Sequence, residues 1–194
     1  MAHLNGNTLH TQQASEAQIV ARAIEGDADA FGILYQRYLD PIYNYIYYRV
    51  TNRLEAEDLT ESVFYKAWRG LGENPPAVIP FRLWLYRIAH NNVVDYYRAN
   101  KEEVGLEAIA DIPDPQAEPE ATLAGRERVA AVRAAIQQLK AEYQQVILCR
   151  FVVGLCHAET ALVMERSEEA TRALQYRALT ALKDILYVQE GPYV

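Results

Sequence analysis

Apolar residues recur at intervals of three and four along most of this chain, the spacing that gathers them on one side of an α-helix. The strict alternation of half-buried strands is lacking, as are Asn-Gly or Asp-Gly hairpin turns between such runs. The pattern predicts an all-α protein. A first helical hairpin runs from about Ile19 through Phe31, Leu34, Tyr35, Tyr38, Ile42, Tyr45 and Ile46, with Pro41 placed to kink or break it. A second helix carries Leu59, Val63, Phe64, Ala67 and Trp68 on one side, and Glu55, Glu57, Asp58 and Glu61 in its first turns suit the positive end of the helix dipole. Gly70, Gly72, Pro75, Pro76 and Pro80 then predict a loop. A third helix follows from about Phe81 to Ala99, burying Phe81, Trp84, Leu85, Ile88 and Tyr96.

The periodicity stops near Glu102. Pro113, Pro115 and Pro119 break any helix there, and large apolar residues are too few to pack a core. Helical spacing resumes with Val129, Val132, Ile136, Leu139, Val146, Ile147 and Phe151 and continues to about Tyr187. The expected organisation is a disordered N-terminus (1–15), a small helical domain (16–101), a flexible acidic linker (102–125), a second small helical domain (126–187) and a tail (188–194).

Charge changes this picture once it is localised. The chain has 194 residues and a net charge of -7, from 19 Lys plus Arg against 26 Asp plus Glu, which taken whole argues against a nucleic-acid partner. Yet Glu102, Glu103, Glu107, Asp111, Asp114, Glu118 and Glu120 fall between residues 102 and 125, with no Lys or Arg among them. The rest of the chain therefore balances to zero, and the acidity belongs to the linker. Two cysteines make no disulfide framework and point to a reducing compartment. The polar start from Met1 to Ala14 lacks a signal peptide's apolar run, and no stretch approaches the roughly 20 apolar residues of a membrane span. These features predict a soluble cytoplasmic protein without membrane insertion.

Two segments offer chemistry. On the third helix, steps of three and four from Leu83 reach Arg87, His90, Asn91, Val94 and Arg98, with Tyr86, Tyr97 and Lys101 beside them. From Arg82 to Lys101 four cations face the single acid Asp95. Cations that track phosphates and rings that stack on unpaired bases suit single-stranded nucleic acid, although an ordinary solvated face would look the same. In the second domain a helix ends at Gly154, His157 to Met164 predicts a short helix, and Ser167 caps a longer one. That is the helix-turn-helix plan, with Thr171, Arg172, Gln175, Tyr176 and Arg177 facing outward, although any three-helix bundle yields such a pair. Cys149, Cys156 and His157 lack a second ligand pair of zinc-site type. No phosphate loop and no catalytic Ser, His and Asp set is found, so no catalytic residue, metal or cofactor is expected.

In order and spacing the chain resembles the bacterial sigma-70 family, in its two-domain extracytoplasmic function (ECF) group, over Ile19 to Leu186. The resemblance is carried by Gly26-Asp27 with Ala30-Phe31, by Glu57-Asp58-Leu59 with Phe64-Tyr65-Lys66-Ala67-Trp68-Arg69, and most strongly by Phe81 to Asn91 with Asp95 and Arg98. In the second domain it runs through Leu139, Tyr143, Val146, Arg150, Gly154-Leu155, Glu159, Ala161, Thr171-Arg172, Arg177-Ala178 and Ala181-Leu182.

The resemblance implies a non-enzymatic specificity subunit that binds core RNA polymerase and promoter DNA, with an anti-sigma factor as a further candidate partner. It implies a region 2-like bundle that captures the melted minus-10 strand through Arg82, Arg87, Asn91, Tyr97, Arg98 and Lys101. It implies a region 4-like domain that reads minus-35 duplex through Thr171, Arg172, Gln175, Tyr176 and Arg177, and polymerase contacts at Asp58, Glu61, Phe64, Lys66 and Arg69. The chain departs from the family pattern at Glu61, often glutamine, and at Glu165, often glycine. It departs again at Ala173, Leu174 and Leu179, which thin the basic complement of the recognition helix. The competing readings are a helix-turn-helix regulator that does not join polymerase, and a helical interaction module with a degenerate DNA-binding domain.

Overall fold

A computed structural model describes residues 15–50, 52–76, 79–99 and 123–190. All regular structure among them is helical: α1 (Glu16–Ile24), α2 (Ala28–Tyr47), α3 (Arg53–Glu73), α4 (Phe81–Ala99), α5 (Leu123–Gln137), α6 (Ala141–Ile147), a π-helical turn (Leu148–Val152), α7 (His157–Met164) and α8 (Glu168–Glu190). The expected disordered N-terminus up to residue 14, the linker from 102 to 122, and the tail from 191 lie outside the described residues. α5 begins at Leu123, inside the expected linker, and α8 continues past the expected boundary at Tyr187.

Local chemistry starts these helices where polar caps stand. Ser15 and Gln18 form a reciprocal capping box on α1, and Asp27, Asn52 and Cys156 cap α2, α3 and α7. Gly26, at φ 89°, turns the chain between α1 and α2 in a conformation other residues resist.

Two readings are narrowed by the structure. Of the kink or break expected at Pro41, the break is excluded, because α2 runs through it. The ring sits on the exposed side, while Tyr38, Ile42, Tyr45 and Ile46 around it are buried and hold the helix against the lost backbone bond. Gly70 and Gly72 belong to α3 rather than to the loop after it. A Cβ at Gly70 would lie 2.9 Å from Cζ2 of Trp84, so the missing side chain is what lets α4 pack against α3. A Gly70→Ala chain should therefore lose about 1 kcal/mol, because forcing the indole aside outweighs the better helix propensity of alanine. Urea unfolding would check this, and an unchanged or raised midpoint would refute it.

The first domain is a bundle of α1 to α4 around Leu34, Ile42, Tyr45, Ile46, Val63, Leu71 and Leu85. The second packs α6, α7 and α8 around Val146, Ile147, Leu148, Leu155, Val163 and Leu174. The two do not stand apart, since α7 lies against α4. Arg82 donates to the Val153 carbonyl at 2.8 Å, and Arg87 of α4 pairs with Glu165 at the end of α7. Arg133 of α5 stacks over the Tyr47 ring at 3.8 Å and donates to the Tyr47 carbonyl at 3.1 Å, while Gln137 donates to the Val50 carbonyl at 3.0 Å.

Candidate nucleic-acid interface

α4 has two occupied faces rather than one. Phe81 and Leu85 enter the first-domain core, as the spacing predicts, with Trp84 and Ile88 half-buried beside it. Leu83 and Tyr86, expected toward the solvated side, are also buried: the Tyr86 ring packs edge-on to Tyr45 of α2 at 5.5 Å, and α7 of the second domain lies against the helix. Of the residues expected to hold single-stranded DNA, Asn91 and Arg98 stand exposed. Arg82 and Arg87 are engaged by the second domain. Tyr97 is half-buried, with its hydroxyl donating to the Arg49 carbonyl. Lys101 lies outside the described residues.

His90 is not a free cation on this face. Its Nδ1 lies 2.8 Å from Nη1 of Arg49, and since a guanidinium only donates, the ring must be the acceptor and carry its proton on Nε2. Burial, with the Arg49 charge added to it, pushes the imidazole down to about 3. Sequence reading missed Arg49. It is 1 % exposed, its other named partner is the Tyr45 hydroxyl at 3.2 Å, and its Nε has no hydrogen-bond partner among the described residues. Cys149 of the second domain lies near enough to feel that charge, and burial raises its thiol to about 12.

On α8 the structure separates the expected duplex-facing residues. Thr171 is a correction: it is fully buried, and its hydroxyl donates to the Ser167 carbonyl, because one turn after the cap the helix faces its own core. Arg172, Tyr176 and Arg177 are exposed, with Tyr176 three-quarters open to solvent. Arg172 is paired with Glu168, so the cations of this surface are partly neutralised before any DNA arrives. Gln175 is half-buried and accepts from Nε of Arg150 at 3.0 Å.

The α2 and α3 surfaces form a third feature. A groove of about 310 Å³ is lined by Ala28, Phe31, Tyr35, Glu61, Phe64, Tyr65 and Trp68. Its walls are interlocked rings, Phe31 on Trp68 at 4.9 Å and Tyr35 edge-on to Phe64 at 4.7 Å. Phe64, expected as a polymerase contact, is 3 % exposed and serves as groove floor, whereas Tyr65 and Tyr35, which were not among the expected contacts, are open. Asp58 and Glu61 are exposed. Lys66 donates to Oδ1 of the buried Asn92, and Arg69 pairs with Glu73 at 2.7 Å. An apolar groove flanked by carboxylates and paired cations suits an amphipathic helix of a partner.

Comparison with known proteins agrees with this layout. Residues 34–103 match the model of sigma-70 region 2, and residues 135–184 match that of sigma-70 region 4. The chain is 38% identical over 178 residues to the ECF RNA polymerase sigma factor BldN of Streptomyces coelicolor, covering 91% of this chain and 67% of that one. It is 30% identical over 188 residues to the RNA polymerase sigma-H factor of Pseudomonas aeruginosa, covering 90% and 95%. Among solved structures, CnrH, an RNA polymerase sigma factor of Cupriavidus metallidurans, was determined in complex with the cytosolic domain of CnrY. It aligns with a TM-score of 0.67 at 26% identity, over 87% of this chain and 94% of that one.

Proposed function

The chain belongs to the sigma-70 family, in its ECF group, and from that membership we propose how its residues divide the work of promoter recognition. As a sigma factor it directs promoter-specific initiation by RNA polymerase. Asn91 takes an extruded base of the minus-10 strand, and Arg87, Arg98, Arg82 and Lys101 hold its phosphates, with Tyr97 fixing the end of the helix. Arg172, Tyr176 and Arg177 meet the minus-35 duplex, and Gln175 reaches it by releasing Arg150. The groove between α2 and α3 receives polymerase, with Phe31, Tyr35, Tyr65 and Trp68 as its apolar wall and Asp58 and Glu61 at its rim. Lys66 and Arg69 contribute there only on leaving their present partners.

The observation that carries this reading is α4 itself. A helix-turn-helix regulator would need a duplex reader, but it would have no use for an exposed asparagine among cations on a separate domain. The chain is read as a subunit without catalytic chemistry of its own, acting in the cytoplasm where polymerase acts. Among the described residues no helix is long and apolar enough to cross a membrane. CnrH's complex with CnrY supports a protein partner of the anti-sigma kind for this chain as well.

Run-off transcription with core RNA polymerase on a promoter library tests the whole. Discrete start sites that vanish without the chain are expected. Core polymerase that fails to co-purify with the chain at low salt would overturn the reading.

A further inference from the structure

The corner that follows α2 carries a buried cation where an apolar side chain would pack at less cost. Arg49 is 1 % exposed, and its guanidinium meets the Tyr45 hydroxyl at 3.2 Å and the His90 ring at 2.8 Å, both uncharged. A charge held in this way adds little to stability, since desolvation offsets most of what the contacts return. What the residue does is join two elements. Its guanidinium holds His90, and its own carbonyl accepts from the Tyr97 hydroxyl, so one residue takes α4 at two points seven residues apart on one face. Directly after those two points come Asn91 and Arg98, both exposed. On its other side Asn91 is bounded by Asn92, which donates to the Leu59 carbonyl of α3 at 3.1 Å. The corner is itself fixed, because the Arg49 and Val50 amides both donate to the Ile46 carbonyl, at 2.8 and 3.1 Å.

We infer that Arg49 is a positioning residue for promoter melting: holding His90 through its side chain and Tyr97 through its carbonyl, it sets the height and rotation at which α4 presents Asn91 to the unpaired strand. The inference rests on the reading of α4 as the strand-capturing face. Arg49 touches no base itself. Its effect passes through Asn91, whose donor and acceptor are useful only within about 0.5 Å of the productive place.

The test uses the full chain on core RNA polymerase, with two variants. Arg49→Met keeps the bulk of the side chain and removes the guanidinium, whereas Tyr97→Phe keeps the ring and removes only the bond to the Arg49 carbonyl. Tyr97→Phe carries the test alone if Arg49→Met does not fold. Hydrogen exchange of the α4 amides reads the pin, and permanganate footprinting reads the melted strand. Both variants should speed exchange across residues 90–98, Arg49→Met by about tenfold. Open complexes should fall about tenfold with Arg49→Met and about threefold with Tyr97→Phe. Affinity for polymerase should be unchanged, because the groove between α2 and α3 is lined by none of these residues. In an Asn91→Ala background either variant should cost at most about twofold more, since a misplaced asparagine and a missing one amount to the same loss. Parent-rate exchange in both variants would overturn the pin, and faster exchange with undiminished melting would overturn the positioning role. Losses that multiply in full with Asn91→Ala would show that Arg49 acts through stability alone, and would overturn it too. Parent-level melting by Asn91→Ala by itself withdraws the reading of α4, while the exchange result on the pin stands.

Discussion

Core RNA polymerase carrying an Asn91→Ala chain should form open promoter complexes about ten- to a hundredfold less well than with the parent chain, at unchanged affinity for polymerase. Asn91 is exposed on α4 and takes no part in holding the helices together, so its removal leaves the fold alone. A carboxamide offers a donor and an acceptor to one base edge, and losing such a pair costs about 1 to 3 kcal/mol of discrimination. The adjacent asparagine supplies the contrast. Asn92 is 5 % exposed, donates to the Leu59 carbonyl at 3.1 Å, and accepts from Lys66 and, at 3.4 Å, from Ser62. Asn92→Ala should instead destabilise the first domain by about 1 to 3 kcal/mol, because it leaves buried polar groups unpaired. Permanganate footprinting of the melted strand, beside thermal unfolding of each variant, separates the two. Equal promoter melting by Asn91→Ala and the parent would remove Asn91 from the proposed contact.

The extent of α4 was legible because the proline-rich loop before it and the apolar spacing within it agree over Phe81 to Ala99. Elsewhere the spacing had several solutions, and tertiary packing chose among them. Gly70 reads as a loop residue until the Trp84 ring beside it is known. Thr171 reads as an outward polar residue, yet its hydroxyl is satisfied within its own helix and its methyl can be buried. Of the α4 face expected to be open, Asn91 and Arg98 are exposed, whereas Leu83 and Tyr86 are buried. Periodicity cannot say that a second domain will lie against this helix, since that depends on surfaces brought together across a linker more than twenty residues long. Glu165 lies between these cases, because departure from glycine flagged the position before its left-handed backbone, at φ 53°, was known.

Lowering the pH from 6.5 to 5 should cost the folded chain about 1.5 kcal/mol through His90 alone. The unfolded chain takes up a proton on this ring below about pH 6.5, whereas in the fold burial and the Arg49 charge hold it neutral down to about 3. The unfolded state therefore binds more protons throughout that window. The stabilisation is complete above pH 6.5 and shrinks progressively as pH falls toward 3. The groups around the ring leave little room for relief: Arg49 donates to it, Tyr45 is already bonded to that guanidinium, and Cys149 stays a neutral thiol. A protonated His90 would place a second cation beside the buried Arg49 guanidinium. His90→Asn supplies an acceptor near the Nδ1 position and removes the titration, so its stability should stay flat between pH 6.5 and 5. The stabilising carboxylates, Asp27 and Glu159, have lowered values and titrate in the fold below that window. Urea unfolding at half-unit pH steps measures the difference, and parallel losses in parent and His90→Asn chains would show that the acid sensitivity arises elsewhere.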